Sequence, residues 1–250
     1  MVRQRYGQNF LIDNEVARRE VAYAELCNQD VVLEVGPGKG ILTRLLAKKA
    51  KQVIAIEIDT QLIRQLQETL PPNVLLIAGD AVDVDFQDLP VFNKIVSNLP
   101  FQISSPITFK FLSVPFSKAI LIFQKDFANR LIASPGTKDY SRLTVGVSYK
   151  ASCRIVEEVP RSCFDPIPQI DASIVELIPH PQPRFSVANE SFFFELTKHL
   201  FTHRRKKIRF TIKKIYDIIP ELPYLDLRVD QLTPEQIGEL STQLFHILSE

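Results

Sequence analysis

Four consecutive residues, Asn98-Leu99-Pro100-Phe101, carry the groups needed to present a nucleobase amine for methylation. The exocyclic nitrogen of adenine is a poor nucleophile because its lone pair is delocalised into the ring. Acceptors for both of its N–H groups draw that density back, and the Asn98 side-chain oxygen and the Leu99 carbonyl are two such acceptors. Pro100 has no N–H and restricts Leu99 to extended backbone, which aims that carbonyl outward. Phe101 then offers a flat face for the base. Taken alone, the tetrapeptide reads equally well as an ordinary Asn-Pro turn after a strand.

The elements around it must therefore decide. The apolar run Lys94-Ile95-Val96-Ser97 predicts a buried strand, which places the tetrapeptide at a strand's carboxyl end, where open α/β sheets bind ligands. Upstream, the strand-like Val31–Val35 runs into Gly36-Pro37-Gly38-Lys39-Gly40 and then a helical pattern, Ile41, Leu42, Leu45, Leu46. Glycines at that junction permit a tight turn and close approach to a ligand. A second strand, Gln52–Ile56, ends in Glu57, about twenty residues past the first glycine, the distance at which Rossmann-like folds set a carboxylate against ribose hydroxyls. A third, Asn73–Ile77, ends near Asp80. Individually, Glu57 reads as a helix cap or solvated charge and Asp80 as an N-cap. Together Gly36, Glu57, Asp80 and Asn98 line one crevice of a parallel sheet, with features suited to S-adenosylmethionine. A nicotinamide dehydrogenase shares the glycine turn and carboxylate but has no use for Asn98–Phe101. A kinase-type phosphate loop is excluded, because Gly40 follows Lys39.

With these motifs in order, the chain resembles the KsgA-type small-subunit rRNA adenine N6-dimethyltransferases. The resemblance is carried by Gln8–Leu11, Glu34–Gly38, Asn98–Phe101, Tyr140–Leu143, Cys163–Pro168 and Phe201–Lys206, and Gln102–Pro106 is closer to the archaeal and eukaryotic branch. It implies a class I, Rossmann-like methyltransferase sheet of seven strands with a small C-terminal α-helical domain. It also implies S-adenosylmethionine as cofactor, contacted by Asn9, Leu11, Gly36, Glu57, Asp80 and Asn98, and catalysis at Asn98, Leu99, Pro100 and Phe101. Asn9 and Leu11 are found only through the resemblance. The implied reaction is dimethylation of adenosines in the 3′-terminal hairpin of small-subunit rRNA, with the small ribosomal subunit or its precursor as partner. Many members have Tyr where this chain has Phe101; stacking needs only the ring. Phe164 is either the opposite wall of the base pocket, in contact with RNA, or ordinary core.

Composition agrees with an enzyme of this kind. The chain has 250 residues, 45% of them hydrophobic, and no apolar stretch approaches the ~20 residues needed to span a bilayer. The polar start Met1–Arg5 has no signal-peptide pattern, so a cytoplasmic monomer without membrane attachment is expected. The three cysteines form no C-x-x-C and predict reduced, buried thiols. His199 and His203 lack a third ligand, so no metal site is predicted.

Net charge is only +1, but Lys198, Arg204, Arg205, Lys206, Lys207, Arg209, Lys213 and Lys214 fall in one segment without Asp or Glu. Arg204–Lys207 are the predicted RNA-backbone contacts, against the simpler reading of a solvated helix face. The proline-rich stretch Pro179–Pro183 predicts a stiff connector between a methyltransferase domain, residues 1–180, and a helical RNA-binding domain, residues 181–250. Two rivals stay open: dimethylation of large-subunit rRNA, and an RNA-binding assembly factor whose transferase site is incidental.

Overall fold

The Val-, Ile- and Leu-rich runs form the predicted strands in the computed structural model, which describes residues 8–249. In chain order they are β1 (Phe10–Leu11), β2 (Val31–Val35), β3 (Gln52–Glu57), β4 (Val74–Ala78), β5 (Lys94–Asn98), β6 (Lys118–Gln124), β7 (Ala151–Val159), β8 (Phe164–Asp165) and β9 (Ala172–Pro179). The helices are α1 (Asn14–Tyr23), α2 (Ile41–Ala47), α3 (Thr60–Thr69), α4 (Ser104–Phe111), α5 (Lys125–Leu131), α6 (Arg142–Lys150), α7 (Glu190–Thr202), α8 (Ile208–Tyr216) and α9 (Pro234–Ser249). The expected class I sheet is present, seven strands in the order β4-β3-β2-β5-β6-β9-β7. Strands β4 to β6 by way of β2 pair in parallel, and β9 runs antiparallel to β6. The start Met1–Arg5 lies outside the described residues.

Both faces of the central strands are covered, so Val32, Leu33, Val53, Ile54, Ile95 and Val96 are fully buried. Each such side chain contributes about 1.5–3 kcal/mol, and truncating one, such as Ile54→Ala, would cost about 2–5 kcal/mol. The sheet opens where strand order reverses. Pairing of β2 with β5 is limited to Val32 with Lys94 and Leu33 with Ile95. Further along, the Val35 N–H donates instead to Ser97 Oγ at 2.8 Å. The two strands part at their carboxyl ends, which is the crevice predicted for a doubly wound sheet.

The chain divides into one compact unit of residues up to Ala128 with Ser152–Pro179, and a second of Asn129–Ala151 with the residues from His180 onward. A single boundary at residue 180 therefore does not describe the structure. The reason is that α6 belongs with the later helices: Val145 and Tyr149 are buried with Phe193, Leu196, Leu200, Ile237 and Leu240. Tyr149 packs on Phe185 and Phe193 with ring centroids 4.9 and 5.0 Å away. Gly238 is needed there, since a Cβ would stand 2.5 Å from the Phe185 ring. The proline-rich stretch is held against α6 by the His180 N–H, which donates to the Lys150 carbonyl at 2.9 Å, and by that of Arg184, which donates to Tyr149 at 3.0 Å.

Among the described residues no helix is long and apolar enough to cross a membrane. The cysteines are free thiols, but the expected burial is not seen: Cys27 is exposed, after α1, and Cys153 and Cys163 are half-buried.

Candidate active site

A cavity of about 340 Å³ opens at the carboxyl ends of β2 to β5, inside the first unit, and its lining includes Asn9, Leu11, Gly36, Glu57, Asp80 and Asn98. Residues as far apart as Gly36 and Asn98 are brought together because parallel strands bring their ends to one edge of the sheet. The glycine turn forms its floor. Gly36, Gly38 and Gly40 take φ values of +74°, +56° and +78°, a region that side chains disfavour. Space is also denied to them: a Cβ on Gly36 would lie 3.0 Å from Pro100 Cδ, and one on Gly38 would lie 2.9 Å from the Phe10 ring. The glycine turn and the Asn98–Phe101 tetrapeptide are thus in direct contact.

Glu57 is buried at the end of β3, where its carboxylate accepts from the N–H groups of Gly38 at 3.1 Å, Ile58 at 3.0 Å and Asp59 at 2.9 Å. Burial pushes its pKa upward and these backbone donors partly offset that. The Asp80 carboxylate accepts from the Val82 N–H at 2.8 Å, forming a turn rather than a helix cap. Lys110 fixes that turn from α4, donating to the carbonyls of Ala81 at 3.0 Å, Val82 at 2.8 Å and Val84. Its position 30 residues away in sequence hid this role.

Asn98 supplies the least expected feature. Among the described residues, its buried Oδ1 has no hydrogen-bond partner. Leaving a buried acceptor unsatisfied costs about 1–3 kcal/mol, so such an atom requires a reason. Leu99 is buried by its side chain, which leaves its backbone for any polar role. Pro100 lines the cavity, but neither Leu99 nor Phe101 does so. The Phe101 ring meets Phe164 edge to face, with centroids 6.3 Å apart. Phe164 itself is fully buried in the core of this unit, so its assignment as an RNA contact is corrected: pairing of β8 with β1 turns the ring inward.

That pairing also builds one wall. Leu11 pairs with Phe164 and Phe10 with Asp165, while Asn9 Nδ2 donates to the Pro166 carbonyl at 2.6 Å. Glu34 was not singled out by sequence reasoning, although it stands in the motif as quoted. It lines the cavity, is almost wholly buried, and is pushed by that burial to a pKa of about 8. Among the described residues no cluster of three or more His, Cys, Asp or Glu could hold a metal ion.

In the second unit the four predicted RNA contacts separate into two kinds. Arg204 is half-buried and braces its own unit, with Nε 3.3 Å from Asp230 and its terminal nitrogens donating to the Thr137 and Lys138 carbonyls at 2.6 Å. It is engaged, so the reading of Arg204 as an open phosphate contact is corrected. Arg205, Lys206 and Lys207 are exposed, with Lys207 3.1 Å from Asp226 and Lys206 over the Phe210 ring.

The model of the ribosomal RNA adenine dimethylase family matches residues 1–233. A probable ribosomal RNA small subunit methyltransferase A of Methanosarcina mazei is 43% identical, covering 98% of this chain and 93% of its own. Another so named, from Thermococcus gammatolerans, is 45% identical over 95% of this chain and 87% of its own. Among solved structures, a dimethyladenosine transferase from Plasmodium falciparum superposes with a TM-score of 0.76 at 29% identity, covering 96% of this chain and 98% of that one. The 23S rRNA methyltransferase ErmE gives 0.67 at 28% identity, covering 95% and 100%. A match that spans the glycine turn, the tetrapeptide and most of the helical unit alike means that this chain belongs to the ribosomal RNA adenine dimethylase family.

Proposed function

We propose that the protein dimethylates N6 of adenosines in the 3′-terminal hairpin of small-subunit rRNA, acting as a monomer on the small ribosomal subunit or its precursor with S-adenosylmethionine as methyl donor. The observation that carries this reading is the buried Oδ1 of Asn98, unpartnered among the described residues, on a side chain in the lining of a strand-end cavity. An acceptor left open at a folding cost is matched by a donor that arrives with the substrate, and an aromatic amine is such a donor. The small-subunit relatives at 43–45% identity favour that substrate over large-subunit rRNA, since the 23S enzyme is 28% identical.

The cavity fits the donor. Its glycine turn has no room for side chains, leaving backbone groups to face the methionine portion, and buried Glu57 keeps acceptor capacity for ribose hydroxyls. Asp80 and Asn9 would hold the remaining polar edges, with Leu11 and Ile103 as apolar walls. When bound, S-adenosylmethionine supplies an electrophilic methyl group on a sulfonium.

The chain's own residues do the rest. Asn98 Oδ1 and the Leu99 carbonyl accept from the amine, localising its lone pair. Pro100, itself at φ −57° and ψ 121°, restricts the residue before it to extended backbone and packs on Gly36, so the amine site is fixed to the donor site. Phe101 stacks on an unpaired base, offsetting part of an unstacking cost of roughly a few kcal/mol. No strong general base is required, because the cationic product amine loses its proton readily to water. After one transfer a single N–H remains, so one acceptor must then tolerate a methyl group. Arg205, Lys206 and Lys207 bind the RNA backbone.

The test is to incubate small subunits lacking the modification with the protein and isotope-labelled donor and to map the product. Label in dimethyladenosine near the 3′ end of the small-subunit rRNA is the expected result. Label confined to large-subunit rRNA, or to no adenine, refutes the reading.

A further inference from the structure

The carboxyl of Glu34 is placed where a binding group would be, yet the reading above does not use it. It stands on β2 in the lining of the cavity, is 1% exposed, and its Oε2 is buried with no partner among the described residues. Around it the same condition repeats. Both oxygens of Glu20, on α1, are buried and unpartnered among the described residues, and the buried Thr43 hydroxyl, on α2, stands within reach of Glu34 as a weak donor. Glu57 on β3 adds a further carboxylate, and Lys39 and Asp80 are the other charged side chains that line the cavity with it. Lys39 is half exposed and 3.8 Å from Asp165.

An ionised carboxylate in a dry setting, with the Thr43 hydroxyl as a donor but beside two other carboxyls, is disfavoured. Burial, and to a lesser extent the nearby Glu57 charge, keep the proton on Glu34 against the opposing pull of the Thr43 hydroxyl, and Glu20 is raised likewise by burial and by Glu34. A cation in the cavity reverses this balance. S-adenosylmethionine carries a sulfonium, an ammonium and a carboxylate, a net +1, whereas the demethylated product, S-adenosylhomocysteine, is a neutral zwitterion.

We infer that Glu34 is a specificity-determining residue that gives up its proton to solvent when the cationic donor binds and keeps more of it when the neutral product binds, so that donor is favoured over product. This rests on the cavity being the S-adenosylmethionine site. The sign follows from linkage. A ligand that prefers the ionised carboxylate binds more tightly as pH rises toward the free protein's value of about 8 and gains nothing above it. Below that value donor affinity should rise by up to roughly tenfold per pH unit, with release of as much as roughly nine-tenths of a proton at pH 7. Product affinity should climb less.

The experiment is titration calorimetry at pH 7 in two buffers of different ionisation enthalpy, with donor and with S-adenosylhomocysteine, on the native protein and Glu34→Gln. Gln is isosteric with the protonated acid and should preserve the fold. Expected are proton release near one with donor, less with product, and none in Glu34→Gln, whose donor affinity no longer rises with pH. Equal release in Glu34→Gln, or none in the native protein, overturns the inference. On the native protein alone, difference infrared spectroscopy should show a protonated-carboxyl band lost on adding donor; an unchanged band also overturns it. If neither compound binds the native protein, the reading of the cavity fails instead.

Discussion

Replacing Asn98 by Ala should separate chemistry from stability. The Oδ1 atom is buried and accepts nothing from the described residues, so the native protein tolerates an unsatisfied acceptor that costs about 1–3 kcal/mol. Removing it relieves that cost, while losing the rest of the side chain gives back roughly 1–2 kcal/mol of packing at a half-buried position. The two nearly cancel. For a chain of 250 residues, where 1 kcal/mol moves Tm by about 2–4 °C, the melting temperature should stay within roughly 4 °C of the parent. Catalysis should not be spared. A preorganised acceptor aimed at developing charge contributes about 2.7–4 kcal/mol, so methyl transfer should fall by about 10²–10³-fold, with donor affinity changed by less than about tenfold. Incorporation of labelled methyl groups into small subunits, calorimetry with S-adenosylmethionine and a thermal melt, all on one preparation, give the three readouts. Turnover within about threefold of the parent would refute the acceptor role; a collapse in Tm beside lost activity would make Asn98 a structural residue.

Glu57→Gln should weaken donor binding by about 2–4 kcal/mol, because an uncharged amide is a poorer acceptor for ribose hydroxyls; unchanged calorimetric affinity would show the carboxylate to be structural, holding Gly38, Ile58 and Asp59. Phe101→Tyr should keep activity, and Phe101→Ala should lose about 1–3 kcal/mol of base stacking, read in kcat/KM; equal rates for the two variants would mean the base is held otherwise. Changing Arg205, Lys206 and Lys207 together to Gln should flatten the slope of log K against log salt by about 0.7–0.9 per contact in filter binding with rRNA while leaving donor affinity intact, and a full slope would make the segment a solvated face. Arg204→Gln should instead lower Tm, since it breaks the Asp230 pair and two carbonyl contacts; an unchanged melt would contradict the bracing role.

The strands and the strand-end residues were legible because both follow from local rules. Apolar runs bounded by Gly36, Glu57, Asp80 and Asn98 announce parallel strands, and a parallel sheet gathers its carboxyl ends at one edge whatever its loops do. Motif order over most of the chain carried the family, and with it Asn9 and Leu11, whose place opposite the glycine turn depends on pairing with Phe164 and Asp165 more than 150 positions away. Tertiary structure decided what sequence distance conceals. The burial of Phe164 comes from that same ribbon. The grouping of residues 129–151 with the later helices comes from Tyr149 packing on Phe185 and Phe193. Whether a basic side chain is open or engaged depends on which carbonyls and carboxylates fold against it, which turned Arg204 into a brace and left Arg205 exposed. Hydrogen bonds that are absent are the least readable of all: residue types reveal that Asn98 and Glu34 can accept, and only the packed interior reveals that no described residue donates to Asn98 Oδ1 or Glu34 Oε2.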